Sequence, residues 1–382
     1  MPAHEHQGIR RSRLASTSTP AISVSVEVFD KYPITFRERY EPQAFRTVID
    51  PIRARLQTNR TVVVSDSNVG PIIGKRLASD LRGSVGEVDL LIFPAGETSK
   101  DVGRLVDLWS SFKELGIERR DLVIGVGGGV VCDIAGLVAS TYLRGLPYVL
   151  VPTSLMAQVD AAIGGKVGAD FLGSKNWIGG FYHPSAVLSY AEHLDSLSDD
   201  EFACGFAEIV KVALIQGGEL WADVSNCTPR SLRESRARLQ RVVRASALAK
   251  LDLLAADPLE LSTLDRSLNL GHCFGHAIES ASSFQLRHGE AVALGTTIAA
   301  RVGYGRALCS GTLVSTVEGL LSAFGLPTVL PPSLLAASWI KVADLRKVRN
   351  GALRLVVPAA PGRTVFVDDV TYEEFAEAAG HG

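Results

Sequence analysis

The chain has 382 residues, 46% hydrophobic and 21% charged, and its 39 Lys and Arg nearly balance its 41 Asp and Glu. That length can bury a large core, most plausibly as two domains, while the charge balance speaks against nucleic acid or an anionic membrane surface as partner. No run of about eighteen apolar residues suggests a membrane span, and the five cysteines form no CxxC pair, which suits a reducing compartment.

The first twenty residues are rich in Ser, Thr, Arg and His and lack the apolar stretch of a signal peptide. Residues 1–22 are therefore expected to be a disordered tail of a cytoplasmic protein. Next come VVVSDSNVG at 62–70 and FPAGETSK at 93–100, apolar runs that end in polar turns. Their polar ends, Asp66, Glu97 and Lys100, are expected to gather at the carboxyl edge of a parallel sheet, where such sheets bind ligands. DLVIGVGGGVVCDIAGLVASTYLRG at 121–145 reads as strand, tight turn and helix. Gly127, Gly128 and Gly129 let a backbone approach a diphosphate closely, and a helix N-terminus favours negative charge. The spacing is not the regular GxGxxG, so a packing turn is the alternative. Farther along, the glycines flanking Lys166 in GGKVG suggest backbone folded around an anion; solvated loop lysines are the ordinary alternative for Lys166 and Lys175.

Near SLSDDEF the pattern changes from short apolar runs to long periodic segments, such as 230–256 and 290–308. This implies an α/β nucleotide-binding domain with a parallel sheet over 23–195 and a mostly helical metal- and substrate-binding domain over 196–382. Basic residues in RARLQRVVR fit a solvated helix face. In the second half, GFAEIVK, NLGHCFGHAIE and HGEAVALG supply Glu208, His272 and His288, one carboxylate and two imidazoles of the kind that hold a catalytic divalent metal and leave a position open. The two histidines lie sixteen positions apart and must converge from different segments. Each is an ordinary core histidine if taken singly. Cys273, beside His272, reads as a small buried residue rather than a ligand.

In order along the chain, PAGETSK, VGGGVVCDIAG, YLRG, VPTSLMAQVDAAIGGKVG, SKNWIGGFYHP, FAEIVK, NLGHCFGHAIE and HGEAVALG resemble the 3-dehydroquinate synthase superfamily of sugar phosphate cyclases, from about residue 60 to 300. The resemblance implies NAD+ and a divalent metal, Zn2+ or Co2+, as cofactors. It also implies a cycle in which a ring hydroxyl is transiently oxidised, phosphate is eliminated, the ketone is reduced again, and an intramolecular aldol closes a carbocycle.

Residue by residue, the resemblance makes Glu208, His272 and His288 the metal ligands. Lys166, Lys175, Asn176, Lys211 and Lys250 become substrate contacts, and Asn269 and His276 contacts near the phosphate. Asp133 is associated with the cofactor ribose, with helix capping as its alternative, and Asp160 with substrate hydroxyls. Thr153 and Ser154 of VPTS join Asp66, Glu97, Lys100 and the three glycines on the cofactor side. Arg144 of YLRG resembles an arginine that reaches a neighbouring subunit's phosphate site, which implies a homodimer.

One departure bears on substrate. Enzymes that make 3-dehydroquinate carry an arginine four residues before the asparagine of NxGH, where it pairs with a substrate carboxylate; this chain has Asp265. An anion in place of a bidentate cation turns attraction into repulsion, costing about a thousandfold in affinity. Sedoheptulose 7-phosphate, without the carboxylate, suits Asp265 through a hydroxyl donor. LDRS also resembles the 2-epi-5-epi-valiolone synthases. Against this, Arg266 stands adjacent and can replace the charge, and GHAIE with Asn269 looks more like dehydroquinate synthase. In the tail, LRKVRNGALRLVVPAAPG carries no histidine of the usual valiolone type, and Lys347 fits a phosphate contact by a small shift.

The sequence thus points to a sedoheptulose 7-phosphate cyclase making 2-epi-5-epi-valiolone or an epimer, a phosphate-eliminating lyase. The alternative is a 3-dehydroquinate synthase acting on 3-deoxy-arabino-heptulosonate 7-phosphate. A metal-dependent alcohol dehydrogenase is a more distant reading, and a non-catalytic nucleotide binder the most distant.

Overall fold

The computed structural model describes residues 32–82, 86–172, 174–260, 266–348 and 353–381. The expected tail at 1–22, Asp265 and the side chain of Lys347 lie outside the described residues. The first half alternates strands and helices: β1 (Ile34–Arg37), α1 (Pro42–Leu56), β2 (Arg60–Asp66), α2 (Lys75–Leu81), β3 (Glu87–Phe93), α3 (Val102–Glu114), β4 (Leu122–Gly127), α4 (Gly129–Thr141) and β5 (Tyr148–Pro152). A hairpin of β6 (Lys166–Phe171) and β7 (Ser174–Phe181) precedes β8 (Ala186–Tyr190).

Six strands form one parallel sheet in the order β1-β8-β5-β4-β2-β3. Every residue of β4, β5 and β8 is buried, as expected of near-continuous apolar strands covered by helices on both faces. Alternation along β2 sends Val62 and Val64 into a core shared with α3 and α4, and Val63 into the opposite core, with α1 and α2. Register fixes where polar groups can collect. Asp66 pairs with Phe93, Ser65 with Val126 and Gly127 with Pro152, so the carboxyl ends of β2, β3, β4 and β5 form one row.

The second half contains α5 (Asp199–Gln216), α6 (Gly218–Ser225), α7 (Pro229–Arg233), α8 (Arg236–Leu254), α9 (His272–Ala281), α10 (His288–Gly305), α11 (Gly311–Ala323) and α12 (Pro332–Val348). An antiparallel hairpin of β9 (Leu355–Ala360) and β10 (Arg363–Val367) follows, then α13 (Tyr372–Ala376). The expectation of a mostly helical second half holds, with this hairpin as an addition. Ser198 caps α5 by accepting from the Glu201 amide, and Asp199, Asp200 and Glu201 sit in its first turn, complementing the helix dipole.

α5, α9 and α10 pack unusually closely because glycine removes side chains where they meet. A Cβ on Gly289 would stand 2.2 Å from the Cα of Cys204, and one on Gly295 would stand 2.0 Å from the carbonyl oxygen of Gly271. The first contact seats α10 against α5 one turn before Glu208; the second seats it against the start of α9.

Candidate functional site

The sheet edge gathers the polar residues read from the first half. Asp66 closes β2 and accepts from the amides of Asn68 and Val69, each at 2.9 Å. Glu97 begins a short turn that ends beside Lys100. Lys100 is buried, ion-paired with Asp133 at 2.5 Å, and donates to Oδ1 of Asn176 at 2.5 Å. Burial alone would lower the Lys100 ammonium pKa, but Asp133 and Glu97 reverse this and raise it. Asp133 lies in the second turn of α4, whose N-cap is Gly128, so it does not cap that helix.

The triple glycine divides into two roles. At Gly127 a Cβ would strike Val131 at 2.4 Å, so packing of strand on helix requires glycine there. At Gly128 and Gly129 the nearest neighbours to such a Cβ are Ser154 Oγ at 3.4 Å and Ala161 Cβ at 3.5 Å, distances that intramolecular packing tolerates. Those two glycines leave an open cradle before the amides of α4, which fits an anionic dinucleotide. Thr153 borders it, its amide bonded to the Gly127 carbonyl at 2.8 Å, and Ser154 Oγ accepts from the Ala157 amide.

From this edge a cleft of about 470 Å³ opens, lined by Asp133, Asp160, Lys166, Asn176, Trp177 and Lys250 among others. Lys250, buried on α8, reaches across to the helical turn Ala157–Ala161, pairing with Asp160 Oδ1 at 2.9 Å and donating to the carbonyls of Asp160 and Ile163. Asp160 feels burial first, then Lys250, Glu208 and Lys211, and its pKa is lowered. Cleft and helical trio are thus electrostatically contiguous. Lys166 pairs with Glu260 at 2.5 Å, and the same Glu260 holds Arg266 at 2.6 Å.

Glu208 on α5, His272 opening α9 and His288 opening α10 meet with their ligand atoms within 4.8 Å of one another. His272 Nε2 and His288 Nε2 stand 3.5 and 3.4 Å from the same carboxylate oxygen. Glu208 is fully buried; Lys211, one turn on, ion-pairs with it, yet neither carboxylate oxygen accepts a well-aligned hydrogen bond from any described residue. Lys211 meets one carboxylate oxygen, while the other faces both imidazoles without a well-aligned bond to either, which leaves a place for a cation between the three groups. The donor set, two nitrogens and one oxygen, suits Zn2+ or a similar divalent ion. Burial and then Lys211 lower the His272 pKa well below the imidazole range, which keeps the ring neutral and able to ligate.

Other residues named from sequence fall around this centre. The exposed His276 ring lies 5.0 Å from that of His272 and 5.9 Å from that of His288. Asn269 ends the half-buried turn Ser267–Asn269 leading into α9. Lys175 pairs with Glu279 at 2.6 Å and Glu97 at 3.0 Å. Arg144 stands exposed in a loop where Leu143 and Arg144 both take positive φ, 48° and 68°. Cys273 is buried, as expected.

Two carboxylates escaped the sequence reading. Glu279 follows His272 by seven residues and His276 by three, so helical periodicity sets it on their face of α9. Glu260 had no comparable signal, because its partners Lys166 and Arg266 come from separate segments.

Comparison with known proteins agrees with this arrangement. The 3-dehydroquinate synthase N-terminal family matches residues 90–204 and the 3-dehydroquinate synthase C-terminal family residues 205–347. A 2-epi-valiolone synthase of Stigmatella aurantiaca is 37% identical, over 98% of this chain and 95% of its own. A 3-dehydroquinate synthase of Symbiobacterium thermophilum is 38% identical, over 82% of this chain and 88% of its own. Among solved structures, ValA, a 2-epi-5-epi-valiolone synthase from Streptomyces hygroscopicus with NAD+ and Zn2+ bound, superposes with a TM-score of 0.84 at 30% identity, covering 93% of this chain and 98% of its own. The parallel sheet, the helical half, the two family matches and relatives of near-full length together make this chain a member of the 3-dehydroquinate synthase superfamily of sugar phosphate cyclases.

Proposed function

We propose that the protein is a carbon–oxygen lyase that cyclises sedoheptulose 7-phosphate to a C7-cyclitol, 2-epi-5-epi-valiolone or an epimer, with release of phosphate. The observation that carries the substrate choice is the engagement of Arg266. Its guanidinium is held by Glu260, which also holds Lys166, so the cation adjacent to Asp265 is already occupied by a carboxylate of the chain. A substrate carboxylate would have to displace Glu260, whereas a hydroxymethyl group would not. The 2-epi-valiolone synthase that matches 98% of the chain supports the same choice and favours the 2-epi product.

In this reading residues 23–195 hold NAD+ at the sheet edge and 196–382 hold Zn2+ or Co2+ on Glu208, His272 and His288. When bound, the nucleotide supplies reversible hydride transfer and the metal supplies Lewis acidity toward substrate oxygens. The chain's own side chains do the rest. Lys166 and Lys250 supply positive charge for substrate oxygens and phosphate, Asp160 orients Lys250, and Asn176, held by Lys100, faces the same cleft. His276, its ring beside those of His272 and His288, contacts the phosphate end. The exposed Arg144 and the apolar, exposed face of β7 with Trp177 and Phe181 suit a homodimer in which each arginine serves the partner's site.

A second reading, 3-dehydroquinate synthase, is favoured by the 38% identical relative of that name. Phosphate release by purified protein with NAD+ and Zn2+ or Co2+ separates the two. Turnover of sedoheptulose 7-phosphate alone is the expected result, with NMR assigning the epimer. Turnover of 3-deoxy-arabino-heptulosonate 7-phosphate instead would overturn the substrate choice, and accumulation of free NADH would mark a dehydrogenase.

A further inference from the structure

We infer that Glu279 is a positioning residue of the metal seat: it fixes the imidazole of His288 and, through Lys175, ties that imidazole to the sheet edge. The inference rests on the metal reading of Glu208, His272 and His288. Glu279 is 2% exposed, in the last turn of α9, so its charge has to be compensated by protein groups. Its two oxygens face two different partners. Oε1 accepts from Lys175 Nζ at 2.6 Å, and Oε2 stands 3.6 Å from Nδ1 of His288, whose Nε2 points at Glu208.

That arrangement selects a tautomer. With Nδ1–H directed at a carboxylate, a cation bound between Glu208, His272 and His288 would meet the Nε2 lone pair, and the negative charge behind the ring would strengthen that nitrogen as a ligand. The lysine on the other oxygen keeps Glu279 from rotating away. Lys175 is itself held by Glu97 at 3.0 Å and lies over the Phe284 ring at 5.2 Å. A continuous line of contacts thus runs from Glu97 beside β3 to Lys175, Glu279, His288 and Glu208. Glu279 also lies within ligand distance of His276 and His288, which makes direct ligation by Glu279 the competing arrangement.

The test measures Zn2+ affinity of metal-stripped full-length protein by competition with a chromophoric chelator, together with the visible spectrum after Co2+ loading. Glu279→Gln should weaken Zn2+ binding about 10- to 100-fold and shift the Co2+ bands without abolishing them. Lys175→Gln should have a smaller effect of the same sign. Glu208→Ala should remove tight binding. If Glu279→Gln binds Zn2+ within twofold of the parent with an unchanged Co2+ spectrum, the inference is overturned. It is equally overturned if Glu279→Gln abolishes binding while Glu208→Ala does not, because Glu279 is then a ligand. Absence of tight binding in the parent would sink the metal reading itself. Should the variants fail to fold, histidine 15N NMR of the Zn2+-loaded parent decides the matter: Nε2 coordination and Nδ1 protonation at His288 support the inference, and Nδ1 coordination overturns it.

Discussion

The two halves of the site are assembled by different physics. At the sheet edge, Asp66, Glu97, Lys100 and the Gly127–Gly129 turn share one edge because parallel strands in register end in one row, and each lies at the end of an apolar run or within a few residues beyond it. In the helical half, Glu208, His272 and His288 are adjacent only because α5, α9 and α10 cross at backbone-to-backbone distance. A sheet edge therefore tolerates local change, whereas the helical trio depends on contacts remote in sequence. The comparison predicts that substitutions in the two regions fail differently, one in binding and the other in folding or metal retention.

The largest effect should come from Glu208→Gln. Removing the charge of a fully buried ligand candidate removes several kcal/mol of stabilisation from the reacting oxygens, so phosphate release should fall by roughly a thousandfold or more. Its thermal stability should fall as well, by about 3 kcal/mol, because the buried Lys211 ammonium loses its carboxylate partner. Calorimetry beside the kinetic assay checks both. A fold that collapses with activity would mean that Glu208 serves structure first.

Next in size is Gly289→Ala. The added Cβ would lie 2.2 Å from the Cα of Cys204, so α10 must move off α5 and carry His288 with it. A loss of about 3 kcal/mol is expected, with Zn2+ affinity falling in parallel. Unchanged Zn2+ affinity in a destabilised protein would separate the crossing from the seat.

A pH effect of similar or smaller size belongs to the sheet half. His193 is buried against Tyr40 and Tyr190, and burial lowers its pKa from 6.5 to about 4. The unfolded chain therefore binds this proton more readily than the folded one. The stabilisation is complete above about pH 6.5 and is lost as pH falls toward 4, amounting to about 2–3 kcal/mol. Denaturant unfolding from pH 7 to 4 should show this loss, and His193→Phe should flatten the curve. An equally steep curve in that variant would assign the acid sensitivity elsewhere.

This contrast also explains how much was legible in the sequence. The strand-turn-helix at 121–145 was readable because local composition marks it: the short apolar run LVIGV meets three glycines, which end a buried strand in a turn. The trio Glu208, His272 and His288 was readable as a candidate from residue types and motif order, but not the reason it converges, since Gly289 and Gly295 act on partners far along the chain. Glu279 and Glu260 were missed on the same ground. A glutamate usually faces solvent; the crossing of α9 with α10 buries Glu279, and Glu260, past the end of α8, is engaged only by Lys166 and Arg266 from other segments. At Asp133 the structure removes the alternative of a helix cap, because the residue lies a turn too far into α4 and pairs with Lys100.

The smallest effect on stability should come from Gly129→Ala, and it gives the sharpest contrast with Gly289→Ala. Gly129 is the first residue of α4, where alanine is the better helix former by up to about 1 kcal/mol, and its Cβ would meet Ala161 at an ordinary 3.5 Å. The fold should therefore be unchanged or slightly more stable. Ala161 lines the cleft, so the new methyl group stands beside the open cradle before the α4 amides. NAD+ should bind about tenfold more weakly, equivalent to about 1.4 kcal/mol, as read by calorimetric titration. The same chemical change, one methyl on one glycine, would then cost ligand affinity at the sheet edge and fold stability at the helix crossing. Unaltered NAD+ affinity in Gly129→Ala would place the nucleotide away from this turn.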